Sequence, residues 1–163
     1  MPALRLAIER ESHRLSSKTA KILEVLSGSQ TLSGPMLYQR VMRDIRELQR
    51  MWANHQAELA EVVRKVPQNA PEALPSLRRL DRNAAAIGHQ LEALSAAAWP
   101  RNPEIGVRSI RIRGQRVLTA VLRQLESEEV ILVPLLERSG PSRSPAQLSM
   151  VSGEPVATEA RKI

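Results

Sequence analysis

Four stretches of the chain repeat apolar residues with the period of an α-helix, and breaks rich in glycine and proline separate them. An α-helix turns about 100° per residue, so apolar residues spaced three or four apart share one face. The stretches cover residues 4–27, 35–66, 72–98 and 103–138. This pattern predicts an all-α protein in which four helices bury their apolar faces against one another.

Residues at the ends of these stretches occupy positions where helices commonly start and stop. Gly28 follows the first stretch, where glycine readily ends a helix, and Pro35 suits the first turn of the second. Asn102, Pro103 and Glu104 open the fourth stretch as a capping side chain, a first-position proline and an acid that complements the helix dipole. Four helices joined by short links predict an up-down-up-down four-helix bundle.

The C-terminal third of the chain contains two special helix positions and then loses its periodicity. Gly114 falls on the apolar face, which indicates the close approach of another helix. Pro134 is expected to kink or shorten the fourth helix. The following residues are mainly Gly, Pro, Ser, Ala and charged residues with no sustained period. We therefore expect the bundle over residues 1–138 and a disordered tail over 139–163.

Two polar residues of the fourth stretch, and one of the second, lie with the apolar residues. Glu128 sits near the middle of the apolar stripe and Gln124 at its edge, one helical turn earlier. His55 lies at the edge of the second stripe, between Trp52 and Leu59. A carboxylate on a core face is costly unless it is paired, protonated or bound to a metal. These three residues are therefore the first candidates for a site.

Three further polar residues are expected at the same height in the protein. Glu11 and Ser12 flank the apolar stripe of the first stretch, and Asn83 falls on the stripe of the third. If the helices alternate in direction, their rise of 1.5 Å per residue places all six residues near one end of the bundle. The sequence thus predicts one inward-facing polar layer.

The overall composition narrows the classes of function. The chain has 163 residues, no Cys and a net charge of +7. Without Cys it carries no disulfide and no thiolate nucleophile or metal ligand. Charges within the first residues argue against a signal peptide, and no apolar run approaches the roughly 18 residues that span a bilayer. We therefore expect a cytoplasmic protein without a membrane segment.

Five arginines make the outer side of the fourth helical stretch basic. These arginines avoid the centre of its apolar stripe: Arg108, Arg111, Arg113, Arg116 and Arg123. Such a face is either simply solvated or binds an acidic protein or nucleic acid. The chain has only Tyr38, Trp52 and Trp99 as aromatic residues, too few for a platform on which single-stranded bases stack.

The stretch Gln124-Leu-Glu-Ser-Glu-Glu-Val-Ile-Leu-Val-Pro-Leu-Leu136 resembles the fourth-helix signature of hemerythrin-like, or HHE cation-binding, domains. That signature reads His, three residues, Glu-Glu, and an apolar run that ends in Phe-Pro-Leu-Leu. The resemblance covers roughly residues 4–138. It implies a four-helix bundle, which in that family holds two non-heme irons through inward-facing His and carboxylate ligands.

Most of the ligands implied by the resemblance are replaced in this chain. Gln124, Asn83 and either Glu11 or Ser12 stand where the family pattern has His. Leu59 stands where a Glu would follow His55 by four residues, so only His55 and Glu128 remain. Because amides bind iron weakly compared with imidazole and carboxylate, we expect the fold without the oxygen chemistry.

Three functional hypotheses follow from these residues. The first is a non-catalytic sensor, regulatory or interaction module whose polar layer is a hydrogen-bond network that fixes helix register. The second is a cation-binding domain with a reduced, single-metal site formed by His55, Glu128 and Glu11. The third is a basic helical protein that binds an acidic protein or nucleic acid. No arrangement of a nucleophile with a base and no phosphate-binding glycine loop is recognisable, so we expect no enzyme and no cofactor, with non-heme iron as the alternative.

Overall fold

The computed structural model describes residues 2–28, 33–68, 70–97 and 101–138. Its four long helices are α1 (Pro2–Leu26), α2 (Gly34–Lys65), α3 (Leu74–Ser95) and α4 (Pro103–Arg138). Two short 3₁₀ turns, Val66–Gln68 and Pro71–Ala73, connect α2 to α3, and the described residues form no strand. The prediction of an all-α protein with four helices is confirmed. The predicted tail over 139–163 lies outside the described residues.

The helix ends follow the local signals of the sequence. Gly28 adopts a φ of +87° directly after α1, a conformation that glycine tolerates better than other residues. The side chain of Asn102 accepts hydrogen bonds from the backbone N–H groups of Glu104 at 3.0 Å and Ile105 at 3.4 Å, which caps α4. Pro35 and Pro75 both lie in the first turn of their helices. These predicted starts and stops are confirmed.

One hydrophobic core joins all four helices. Helix α1 packs against α2 and α4, and α3 packs against the same two helices from the other side. The predicted apolar faces point into this core: Ile8, Leu15, Ile22 and Leu26 in α1, Val41, Ile45, Leu48, Trp52 and Leu59 in α2, and Ile110, Val117, Val121, Leu125 and Leu132 in α4 are buried. The periodicity of each sequence stretch therefore identified the packed face of these helices.

Helix α4 contains both of the special positions noted in the sequence. Gly114 is buried, and a Cβ at this position would lie 2.8 Å from Cδ1 of Leu26. The predicted close approach of another helix is thus confirmed, and that helix is α1. Pro134 does not shorten α4, which continues to Arg138. Pro134 and Val130 are both exposed, so water can solvate the carbonyl of Val130 that proline leaves without a partner.

Ion pairs tie α1 to its neighbours on both sides. Lys18 donates to Asp44 at 3.2 Å and to Glu47 at 2.5 Å on α2. Arg5 donates to Glu137 on α4 at 2.8 Å.

Among the described residues, no helix is both long and apolar enough to cross a membrane.

Candidate functional site

Three buried polar side chains from two helices meet inside the core. His55 of α2 and Glu128 of α4 are each 1% exposed, and Gln124 of α4 is 4% exposed. The Nε2 atom of His55 lies 2.5 Å from Oε2 of Glu128, and the Nε2 group of Gln124 donates to Oε1 of Glu128 at 2.7 Å. Each oxygen of the carboxylate therefore receives one hydrogen bond. We refer to His55, Gln124 and Glu128 as the polar triad.

Gln124 also links the polar triad to α3. The Nε2 group of Gln124 donates to the backbone oxygen of Leu80 at 3.0 Å. Because this amide donates to two acceptors, its NH₂ must point toward both the carboxylate and α3, which fixes its orientation. The polar triad thus connects α2, α3 and α4 through hydrogen bonds in the interior.

Trp52 lies beside the triad and adds a second link between α2 and α3. Its ring centroid lies 5.4 Å from that of His55, with the two planes tilted by 44°. Its indole Nε1–H donates to the backbone oxygen of Ala84 at 2.9 Å, a bond that is itself buried. Aromatic contacts of this kind restrict the orientation of both rings. Trp52 therefore helps to hold His55 toward Glu128.

The second ring nitrogen of His55 indicates which tautomer the pair favours. Nδ1 is buried and has no hydrogen-bond partner in the part of the chain that the structure describes. In the tautomer with a hydrogen on Nδ1, the Nδ1–H group would be a buried donor without an acceptor. In the other tautomer Nδ1 carries no hydrogen, and a buried acceptor without a donor costs less free energy. The arrangement thus favours the tautomer in which His55 donates its Nε2–H to Glu128. In this tautomer both donors to the carboxyl group, the imidazole and the Gln124 amide, are uncharged.

The expected inward position of Asn83 is wrong, because Asn83 is exposed. The buried residues of α3 include Leu77 and Ala84 in addition to Leu80, Ile87, Leu91 and Leu94. Leu77 and Ala84 move the centre of the apolar face farther from Asn83. Ala84, not Asn83, is the residue of α3 that faces the interior at this height.

The two candidates on α1 do not join the polar triad. Glu11 is part-buried, and its carboxylate accepts a hydrogen bond from Arg14 at 3.2 Å one turn along the same helix. Its role as a metal ligand beside His55 and Glu128 stays a prediction. Ser12 is also part-buried, but it lines a groove between α1 and α4 that Glu128 lines as well. Of the six predicted layer residues, the structure brings three together and places a fourth nearby.

The triad does not fit the two-iron centre that the hemerythrin-like resemblance implies. Within residues 2–28, 33–68, 70–97 and 101–138, no group of three or more His, Cys, Asp or Glu side chains could hold a metal ion. A two-iron centre requires several imidazole and carboxylate ligands that converge with supporting hydrogen bonds. The side-chain amide of Gln124 points its donor, not its oxygen, at Glu128.

The predicted basic face of α4 is fully exposed. All five arginines lie at the surface: Arg108, Arg111, Arg113, Arg116 and Arg123. None of them forms an ion pair with an acidic side chain among the described residues. Two large apolar side chains are exposed on the same part of the helix, Ile105 at 62% and Ile112 at 54%. We call this set of arginines with Ile105 and Ile112 the basic face.

Sequence reasoning placed Trp52 beside His55 but missed two backbone acceptors and one buried acid. Helical spacing makes Trp52 and His55 neighbours, yet it does not reveal the bond from the indole of Trp52 to the carbonyl of Ala84. The carbonyl of Leu80 could not be found in this way, because a backbone acceptor has no side-chain signature. Glu58, one turn after His55, buries its Oε2 atom without a hydrogen-bond partner among the described residues.

No family model, curated protein or solved structure matches this chain.

Proposed function

We propose that this protein is a non-catalytic interaction module that binds an acidic segment of a protein partner on the basic face of α4. We further propose that its four helices form a hemerythrin-like up-down-up-down bundle in which the polar triad has replaced the iron ligands. The single observation that carries the binding proposal is the set of five exposed arginines without acidic partners among the described residues.

Contacts at both ends of α1 support the bundle part of the proposal. Arg5, near the start of α1, pairs with Glu137 near the end of α4. Leu26, at the end of α1, approaches Gly114 in the first third of α4. Two neighbouring helices that touch in this order run in opposite directions. The links of Lys18 to Asp44 and Glu47 are consistent with the same relation between α1 and α2.

Charge and apolar area together favour a protein as the partner. Arginine forms paired hydrogen bonds with carboxylates and is common in protein interfaces. Ile105 and Ile112 would pack against apolar side chains of an acidic amphipathic segment. A nucleic acid would use the arginines through its phosphates but would gain little from two exposed isoleucines, and the described surface exposes no large aromatic side chain for base stacking.

Binding of a synthetic acidic amphipathic peptide tests this proposal, with a DNA duplex of similar charge as the comparison. The variant Arg108→Glu/Arg116→Glu should weaken peptide binding by at least about tenfold, because two attractions become repulsions. Ile112→Asp should also weaken it, since the contact loses apolar area. Both measurements use fluorescence anisotropy at low and at physiological salt.

The double variant Arg78→Glu/Arg79→Glu is the matched control, because both arginines are exposed on α3. It makes the same change in net charge and should leave peptide binding within about twofold. If both double variants lost the same affinity for the peptide, net charge alone would explain the loss. That result would contradict the proposal. Tighter binding of the duplex than of the peptide, lost in the α4 variant, would show that the basic face recognises nucleic acid instead.

A further inference from the structure

A groove between α1 and α4 reaches from the surface to the buried triad. Its volume is about 490 Å³, within the range of pockets that hold small organic ligands. Leu125, Leu132 and Leu136 of α4 and Ile8 of α1 form apolar walls. Glu128 lines the same groove although only 1% of its side chain is exposed. The groove therefore combines apolar walls with a desolvated carboxylate.

The charge of this groove is opposite to that of the protein as a whole. The acids that line it are Glu9, Glu126, Glu128 and Glu129, and the basic residues are Arg5 and His13. Arg5 is already engaged by Glu9 at 2.7 Å and by Glu137 at 2.8 Å. In a chain with a net charge of +7, the groove is thus locally acidic.

Glu128 retains hydrogen-bonding capacity after its contacts within the triad. A carboxylate has about four acceptor sites, and the polar triad uses one on each oxygen. The donors are an amide and, in the tautomer favoured by the unpartnered Nδ1 atom, a neutral imidazole. A buried carboxylate without an opposing charge is costly, so a cation that reaches it from the groove is stabilised strongly.

Two hydroxyl groups lie along the same groove. Ser12 and Ser16 of α1 line it, and neither hydroxyl has a hydrogen-bond partner among the described side chains and backbone. An ammonium group carries three donors, which match a carboxylate oxygen and two hydroxyl oxygens. A divalent metal ion is a poorer match, because no three acidic or imidazole side chains converge anywhere in the described residues.

We propose that the α1–α4 groove binds an amphiphilic organic cation, namely a protonated amine with an aliphatic or aromatic body. The ammonium donates to Glu128, with Ser12 and Ser16 as additional acceptors, and the apolar body packs on Leu125, Leu132 and Leu136. Glu9, Glu126 and Glu129 exclude anionic ligands of the same shape. This site uses none of the residues of the basic face and does not depend on the function proposed for that face.

Calorimetric titration with three probes of equal chain length tests the inference: n-octylamine, n-octanol and octanoate at pH 7. Octylamine should bind at least about tenfold more tightly than the alcohol, because a charge-assisted hydrogen bond adds to the same apolar contact. Octanoate should not bind. Octylamine should also raise the melting temperature of the protein, since a ligand that binds only the folded state stabilises it.

Two variants locate the ammonium. Glu128→Gln should weaken octylamine binding at least about tenfold and octanol binding much less, because the charge is removed while the shape of the side chain is kept. Glu129→Lys alters an exposed residue at the edge of the groove, so it keeps the core intact and should weaken octylamine several-fold. Glu92→Lys, exposed on α3, is the control and should have no effect. Equal affinities for the three probes, or unchanged octylamine binding in both Glu128→Gln and Glu129→Lys, would overturn the proposal.

Discussion

Glu128 is the residue on which the interior electrostatics of this protein depend. It is desolvated, holds one hydrogen bond on each carboxylate oxygen and is one of the residues that line the α1–α4 groove. Two neutral donors stabilise a buried charge less than water does, so burial of the charge lowers the stability of the fold. Removal of the acceptor also lowers stability, because it leaves the two donors without a partner. The cost of a substitution at this position therefore depends on whether the replacement still accepts hydrogen bonds.

Substitutions of Glu128 should separate these two effects. Glu128→Gln removes the charge and keeps the shape, but it replaces one of the two acceptor oxygens with an NH₂ donor, so the free energy of unfolding should fall by less than about 2 kcal/mol. Glu128→Ala leaves His55 and Gln124 with unsatisfied donors and opens a cavity, so it should cost about 3 kcal/mol. Urea denaturation followed by circular dichroism measures both. A loss for Glu128→Gln as large as for Glu128→Ala would mean that the charge itself is essential to the triad.

At the scale of helices, a close contact between α1 and α4 depends on the absence of a side chain at one position. A Cβ on residue 114 would lie 2.8 Å from Cδ1 of Leu26, which is itself 1% exposed. Alanine is favoured over glycine within a helix by about 1 kcal/mol, and an overpacked core loses about 1–3 kcal/mol. The two terms have opposite signs, and the packing of Leu26 determines which prevails.

A double-mutant cycle should reveal this competition. Gly114→Ala alone should destabilise the protein by up to about 2 kcal/mol, because buried Leu26 has little room to move. In a Leu26→Ala background the same substitution should stabilise, since the obstructing methyl group is absent and the helix preference remains. Thermal or urea unfolding of the four proteins gives the coupling energy. Identical effects of Gly114→Ala in both backgrounds would show that α1 does not approach α4 in this way.

For the molecule as a whole, Lys18 links α1 to α2 through two acids, and this link makes stability depend on pH. Hydrogen bonding to Lys18 and its positive charge lower the pKa of Glu47. Burial alone would lower the pKa of Lys18, but the hydrogen bonds that it donates to Glu47 and Asp44 outweigh this effect, so the pKa of Lys18 is raised above 10.5. The contribution of Glu47 to folding stability is present at pH values above 4.5, its usual pKa, and is lost as the pH falls through its lowered pKa. The contribution of Lys18 is present at pH values below 10.5, its usual pKa, and is lost as the pH rises through its raised pKa.

Lys18→Met should therefore flatten the dependence of stability on pH. The natural protein should lose stability below pH 4.5 relative to this variant, by less than about 1 kcal/mol because Glu47 is half-exposed. Melting temperatures at pH 7 and pH 3 measure the difference, and high salt should reduce it. Arg14→Met, which removes a pair within α1 only, is the comparison. An unchanged pH dependence in Lys18→Met would contradict the role of this link.

The local sequence determined where the helices begin and end and which face of most of them is buried. Gly28, Asn102 and Pro103 act on their own helices, so their effects could be predicted without knowledge of the rest of the chain. The inward positions of His55, Gln124 and Glu128 were also predictable, because helical periodicity places them beside buried apolar residues. This information is local, since a helix repeats within a few residues.

Only the tertiary structure decided which of these polar residues meet and what lies beside them. The buried face of α3 includes Ala84, and alanine suits either a buried or an exposed position, which is why the sequence places Asn83 on the wrong side of the helix. The bond from Gln124 to the carbonyl of Leu80 and the groove beside Glu128 exist only after separate helices are packed together. Contacts of this kind depend on the relative rotation and height of two helices, neither of which is encoded in the periodicity of one.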